Sequence, residues 1–485
     1  MFKNTDQKLN IHMETLSAIF VIILVSLFIV VNLFMGFILP LYLVAMGASF
    51  LIVFFYPRSG LYAIIFLTMI FERFFALVPL VIGKIEYKLY PLDIIIIAIL
   101  LGILFSFLTK EKRTNAIIKK IDLVLVVFII LNFIYYFVGV YFLKSDIALS
   151  FSTLKNYAFY SLLFFIASHT ITNRDEFRRL FGFYFFGAIA IIALILFGII
   201  NGVGLWTGYT PLSTKGVRLL AFTHGVYVTV AFLSAIIYLI YRKQERNKSG
   251  FLYLLVLIWL VGIVGTMMRH IWGNIIIFFF LLYVLISKVK KVEFRKVAFN
   301  FFLIFVSCVL VAFYVVLIFP QSEVSKQISN VNSAIIKRGA SLENINDDDS
   351  FAWRRMAWKA AFSEFSENPI FGIGTGRKVY IEKQDYQAYV EVKSIHNSYI
   401  SILIQMGFLG IIIFLSFVFA VLKKLIASSG SDEYAFYKFS ILAVLLINLL
   451  GSFFQPYLEV NLNNMFFWIG LGLANALVRI NRQFE

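Results

Sequence analysis

The chain has 485 residues, of which 61% are hydrophobic and only 14% charged, with a formal net charge of +17. Mean hydropathy is +0.90. A soluble globular fold is excluded, because apolar runs of roughly 20 residues recur along the whole length.

Spans with so few interior charges read as helices that satisfy their own backbone hydrogen bonds in lipid. The expected fold is an all-α polytopic membrane bundle of about 12–14 helices with one large external loop that contains short helices. In chain order the spans fall at about 15–34, 36–55, 60–82, 92–108, 121–142, 154–170, 179–201, 219–240, 250–265, 270–287, 297–319, 397–422, 439–455 and 465–478. Residues 1–319 thus form a bundle of about 11 spans, 320–396 the large loop, and 397–485 a C-terminal set of helices. Glu72 and Arg73 fall inside the third span, where an ionisable group costs roughly 2.5–3.5 kcal/mol and needs a partner. Asp93 and Lys155, at outer helix mouths, are the candidates.

Charge fixes an expected orientation. One set of short segments carries 25 Lys and Arg, and the opposite set about seven. The positive-inside rule then places both termini in the cytoplasm and the long loop, Gln321 to Ile395, outside. The surplus of cations follows from this bias, so a nucleic-acid partner is not expected. The first apolar run is too long for a cleaved secretory signal, and a second follows at once. Cys308 is the single cysteine, so neither a disulfide framework nor a thiolate metal site is expected.

On this topology several polar residues share the outer level. Arg218 and His224 stand at the entry of one span, Arg269 and His270 at an outer turn, and Arg354, Arg355 and His396 in or beside the loop. A guanidinium offers a phosphate two parallel hydrogen bonds and keeps its charge. The same arginines also read as residues that snorkel to headgroups. His396, with Asn397 beside it at the point of membrane re-entry, is the leading candidate for acid–base work. A helix-start histidine with an interfacial role is the plainer reading. Residues 350–366 read as an amphipathic helix capped by Ser350, with Phe351, Trp358, Phe362 and Phe365 at helical spacing and Pro369 as its stop. Gly372, Gly374 and Gly376 lack the strand and the Gly-Lys-Ser/Thr of a nucleotide loop, and read as a tight turn that lets backbone approach a ligand or a helix. Asp347–Asp349 reads either as a carboxylate cluster for a metal or, more simply, as a solvated acidic loop.

The run Arg354, Trp358, Pro369-Ile-Phe-Gly372-Ile-Gly374, His396-Asn397-Ser-Tyr399 and Gly407-Phe-Leu-Gly410 resembles the O-antigen ligase and polymerase family. Two weaker matches extend the resemblance: Val217-Arg218-Leu219 through His224, and the turn Gly265-Thr266-Met267-Met268-Arg269. Met268 and His270 depart from that family's Ser-Arg-Gly turn, and Gln405 stands where an acidic residue is common. The resemblance implies transfer of a glycan from a polyprenyl-pyrophosphate carrier to an acceptor hydroxyl, on the outer leaflet of a bacterial cytoplasmic membrane, without cofactor or metal. It implies catalytic roles for His396, Arg269 and Arg218, and substrate contacts from Arg354, Arg355, His224, Asn397 and Gly374. A polymerase, whose acceptor is another lipid-linked glycan, and a ligase, whose acceptor is a lipid core, protein or wall polymer, both fit. A lipid-linked glycan transporter is the rival from another class, although such a protein would show charges at mid-bilayer and two related halves.

Overall fold

The structure is a computed structural model, and it describes residues 2–71, 77–109, 120–201, 218–241, 246–322 and 349–484 apart from 384 and 385, together with Gly204 and scattered residues between 325 and 336. Glu72, Arg73, Asp347 and Asp348 lie outside the described residues.

Among the described residues, eight helices are long and apolar enough to cross a membrane, and four shorter apolar helices accompany them. The chain is therefore an all-α polytopic membrane protein. The helices are α1 (Phe2–Met35), α2 (Leu39–Phe55), α3 (Pro57–Ile70), α4 (Pro91–Thr109), α5 (Lys120–Phe137), α6 (Ile147–Leu154), α7 (Leu162–Thr170), α8 (Arg174–Asn201), α9 (Phe222–Tyr241), α10 (Arg246–Gly265), α11 (Arg269–Leu285) and α12 (Lys288–Ile318). Beyond them come α13 (Asp349–Phe365), α14 (Ser398–Ala427), α15 (Asp432–Gly451) and α16 (Asn461–Arg479). Short polar caps set several starts. The Asp146 side chain accepts from Leu149 N at the head of α6, Asn397 from Ile400 N at α14, and Ser431 from Tyr434 N at α15.

Burial separates centre from rim. The apolar window of α9 is 94% buried, whereas that of α12 is 0% buried. The centre tolerates small and polar residues such as Gly225, Thr229 and Ser234, which let helices approach closely. The rim helix α12 instead turns phenylalanines such as Phe299, Phe302 and Phe305 outward, as lipid contact requires.

Three sequence expectations change. The span read at 60–82 ends at Ile70, and Leu80–Ile82 and Ile85–Tyr87 form a short antiparallel hairpin, β1 and β2. Pro79 supplies no N–H for a helix, and Gly83 turns the hairpin with φ +63°. The span read at 154–170 begins earlier: α6 continues through a π-helical turn, Lys155–Phe159, toward α7. Asp93 and Lys155 pair with each other. Lys155 Nζ also donates to Lys88 O at 2.9 Å, and Tyr160 OH donates to Asp93 at 3.0 Å.

The late loop carries α13 as expected, starting one residue before Ser350, which therefore lies inside the helix and not at its cap. It also carries an antiparallel hairpin, β3 (Lys378–Lys383) and β4 (Tyr386–Glu391), which the sequence reading did not foresee. Val379 and Ile381 are buried while Tyr380 is exposed, the period-two pattern of a half-covered sheet. α13 covers that face with Ala357, Ala361 and Phe365, leaving Phe362 outward, and Trp358 Nε1 donates to Ile395 O at 2.8 Å.

The loop is sewn into α14. At Gly407 this helix breaks, with φ +68° and ψ −171°. Segment 369–374 fills the break. Ile373 N and Gly374 N donate to Ile404 O and Gln405 O at 2.9 and 3.1 Å, and Phe408 N and Leu409 N donate to Pro369 O and Ile370 O at 3.0 and 3.2 Å. Tyr135 OH takes the Met406 carbonyl at 2.9 Å. A Cβ on Gly407 would lie 2.1 Å from Ile370 O, and one on Gly372 2.6 Å from Gly407 N, so both glycines are required by close backbone approach.

Candidate functional site

The turn between α10 and α11 is tight. Met267 adopts φ +55°, and α11 starts at Arg269 without a side-chain cap. Amides at such a start point outward with the positive end of the helix dipole, a setting that favours anions. Arg218 is pinned against this turn: it is only 7% exposed, its Nε donates to Thr266 O at 3.1 Å, and Leu219 N donates to Gly265 O at 2.8 Å. His270 follows Arg269. Its Nε2 lies 2.9 Å from Tyr457 OH and its ring stacks on Phe454 at 6.1 Å. Arg218 thus lies against the turn that leads into Arg269 and His270.

His396 sits at the end of the loop, one residue before the cap of α14. It adopts φ +58°, a left-handed conformation uncommon outside glycine and held only where surrounding contacts fix it. Its Nδ1 lies 2.9 Å from Gln455 Oε1, and the Trp353 ring packs edge-on at 5.3 Å. Burial pushes the imidazole below its ordinary pKa, the Gln455 contact pulls it back up, and the charge of Arg354 lowers it further. The net direction is downward, which favours the neutral ring, the form able to accept a proton. His396 and His270 contact residues two apart in one segment, Gln455 and Tyr457, which places the two imidazoles in one locale.

Asn397 serves the backbone: Oδ1 accepts from Ile400 N at 3.0 Å and Nδ2 donates to Phe453 O at 3.1 Å. Gly374 is buried and its N–H is committed to Gln405 O, so its place is in the break of α14. His224 is wholly buried within α9, its Nε2 3.2 Å from Ile70 O, which is the environment of a core histidine. Arg355 is exposed. Among the described residues no group of His, Cys, Asp and Glu is placed to hold a metal ion.

The connection between α15 and α16, residues 452–460, escaped the sequence reading, which assigned its first part to a span. It brings Gln455 to His396 and Tyr457 to His270. Glu459, partly buried, accepts from the hydroxyls of Ser398 and Tyr157, and its backbone carbonyl accepts from Asn156 Nδ2 at 2.9 Å. Burial raises its carboxyl above the ordinary range, while the hydroxyls of Ser398, Tyr157 and Ser401 oppose that rise. The signal that could have found this stretch was its composition: Gln455, Pro456 and Glu459 do not belong in a hydrocarbon core.

Fold and site together define a multi-pass helical membrane protein with a cationic, histidine-bearing centre where a late loop meets the bundle. The family model described as O-antigen ligase matches residues 254–415. The resemblance to the O-antigen ligase and polymerase family is thereby borne out over that stretch, which is similar to the O-antigen ligase family. The match takes in the 266–268 turn, the whole loop, His396-Asn397 and the Gly407 break; Arg218 and the 452–460 connection lie beyond it. No curated protein matches the chain.

Proposed function

We propose that the protein is a membrane glycosyltransferase that moves a glycan from a polyprenyl-pyrophosphate carrier to an acceptor hydroxyl at the outer face of a bacterial cytoplasmic membrane. The observation that carries this reading is that the 452–460 connection contacts both His270, beside Arg269, through Tyr457, and His396, at the end of the loop, through Gln455, with Arg218 held on the turn that opens α11.

In this reading Arg218, Arg269 and the uncapped start of α11 hold the pyrophosphate, and Arg354 assists. They stabilise the charge that develops as the carrier leaves, an electrostatic contribution made in a water-poor site. His396 accepts the proton of the acceptor hydroxyl. The acceptor oxygen forms the new bond to the anomeric carbon, the bond from that carbon to the phosphate oxygen breaks, and the electron pair departs with the polyprenyl pyrophosphate. The arginines supply the positive charge that a metal would otherwise bring, so the reaction is proposed to be metal-independent. The acceptor is a glycan or a lipid, the polyprenyl tail stays in the membrane, and the loop at 320–396 faces outward with both termini cytoplasmic.

The test is transfer by detergent-purified protein, using a synthetic polyprenyl-pyrophosphate oligosaccharide as donor, with a second donor molecule or a lipid-core glycan as acceptor. A longer or newly linked glycan together with released polyprenyl pyrophosphate is expected. Donor uptake across sealed vesicles without any new glycosidic bond would instead assign the protein to transport. Reporter fusions at residue 340 and at the C-terminus should report opposite sides of the membrane; the same side for both would overturn the orientation and the site with it.

A further inference from the structure

We infer that Gln455 is a positioning residue that fixes the tautomer of His396, so that Nδ1 carries the proton and Nε2 is the atom that accepts one. The inference rests on the glycosyltransferase reading for its catalytic meaning, but its structural content stands on the contact itself. An amide oxygen has no proton to give. With the Gln455 amide placed so that Oε1 faces the ring at 2.9 Å, Nδ1 of His396 is the donor and the lone pair of the neutral ring is left on Nε2. A histidine with one nitrogen so engaged presents the other to its substrate in a single, defined state.

The placement of Gln455 is reinforced from both sides. Its backbone is tied into the connection, with Gln455 N donating to Gly451 O at 3.0 Å and Tyr457 N donating to Gln455 O at 2.9 Å. Four residues further on, Glu459 anchors the connection to Ser398 and Tyr157, and Leu458 N donates to Ser398 Oγ at 3.2 Å. Ser398 N in turn donates to Ser452 O at 2.9 Å. The start of α14, which carries His396 on its approach, is therefore in register with the segment that carries Gln455. The left-handed φ of His396 aims the ring across to that segment.

The chemistry of an amide suits this position better than that of a carboxylate. The groups facing His396 are Gln455 from the connection, Trp353 and Arg354 from α13, and Asn397 beside it; of these only Arg354 is charged. A neutral acceptor orients the ring while stabilising the imidazolium less than a carboxylate would, which favours the uncharged ring. A carboxylate would bind the protonated ring and would also draw on Arg354, which the anionic donor needs.

The experiment compares Gln455→Glu and Gln455→Ala with the parent protein, reading the ring directly and through activity. The chain has five histidines, so ¹⁵N-histidine labelling of the detergent-purified protein, with His396→Asn to assign its signal, gives the tautomer and titration of this one ring. The parent is expected to show a protonated Nδ1 and a bare Nε2. In Gln455→Glu the His396 titration and the acid limb of the pH–rate profile should both move up by about one to three pH units, as a carboxylate within contact favours the charged ring. In Gln455→Ala the single tautomer should be lost and kcat should fall about tenfold or more, with KM for the polyprenyl-pyrophosphate donor unchanged. A His396 signal with the same tautomer and titration in all three proteins would overturn the inference. A His396 titration that moves in Gln455→Glu while the pH–rate profile stays in place would leave the contact intact but remove His396 from the chemistry, which sinks the proposed base and with it the catalytic role of Gln455.

Discussion

The two ends of this bundle use the same residue type in opposite ways. At the end that holds Glu14 and Arg479, arginines meet carboxylates: Arg58 lies 2.8 Å from Glu14 and 3.1 Å from Glu176, Arg174 and Arg178 both reach Glu433, and nearby Lys290 lies 2.6 Å from Asp432. At the other end, Arg218 is held on the turn that opens α11, where Arg269 and His270 begin the helix. The first end is a set of ties between helices. The second places arginines beside a histidine at the uncapped start of α11. An end built for architecture should tolerate loss of a charge; an end built for an anionic ligand should not.

The sharpest way to break this comparison is His396→Ala. Glycan transfer should fall by about 10²–10⁴, the contribution of a positioned base, while binding of the lipid-linked donor, measured on the same purified variant, stays near normal. Transfer within a few-fold of the parent would make His396 structural. A smaller effect is expected from Arg218→Lys and Arg269→Lys. Lysine keeps the charge but not the two-pronged contact, and a charge-assisted hydrogen bond contributes roughly 1.5–3 kcal/mol, so each variant should lose about ten- to hundredfold in transfer while inserting normally. Equal turnover in both would reduce these arginines to interfacial anchors. At the opposite end, Arg174→Gln should leave transfer unchanged and lower stability by about 0–1 kcal/mol, because the ion pair is partly exposed at 37% and 19% of its side chains. A large loss of activity with the fold intact would mean that the two ends are coupled. The smallest effect of all is expected from EDTA, which should leave the rate of purified protein unaltered; loss restored by a divalent ion would show that the arginine cluster does not act alone.

Much of the architecture was legible because lipid imposes a simple rule: a run of about 20 apolar residues becomes a helix. The same rule misled at 60–82, where Val78, Leu80, Val81 and Ile82 extend the apolar run although the helix ends at Ile70, with Phe71 extended. In the loop, the period-two burial of Val379 and Ile381 was present in the sequence but outweighed by the expectation of short helices. Of the candidate site, the arginines and His396 could be read as cations and an imidazole at one membrane level, whereas their meeting could not, since it depends on how α9, α11 and α13 pack. Gln455 and Tyr457 were missed for a different reason: alone, an amide and a phenol carry no chemical signature, and only their partners give them one. His224 illustrates the converse, since an imidazole at the right level turned inward, toward Ile70.

The break in α14 makes the polar loop and the membrane part inseparable. Because the amides of Ile373 and Gly374 take up carbonyls that the helix leaves open at Ile404 and Gln405, neither piece is complete without the other. The filling segment precedes the broken helix in the chain, so it is already synthesised when the helix reaches the membrane. Excised as a soluble fragment, the loop would expose those amides to water and lose the surface that gives it shape; grafted onto another bundle, it would find no gap to fill. The loop behaves less as a domain attached to a scaffold than as the missing turn of a membrane helix, supplied in advance.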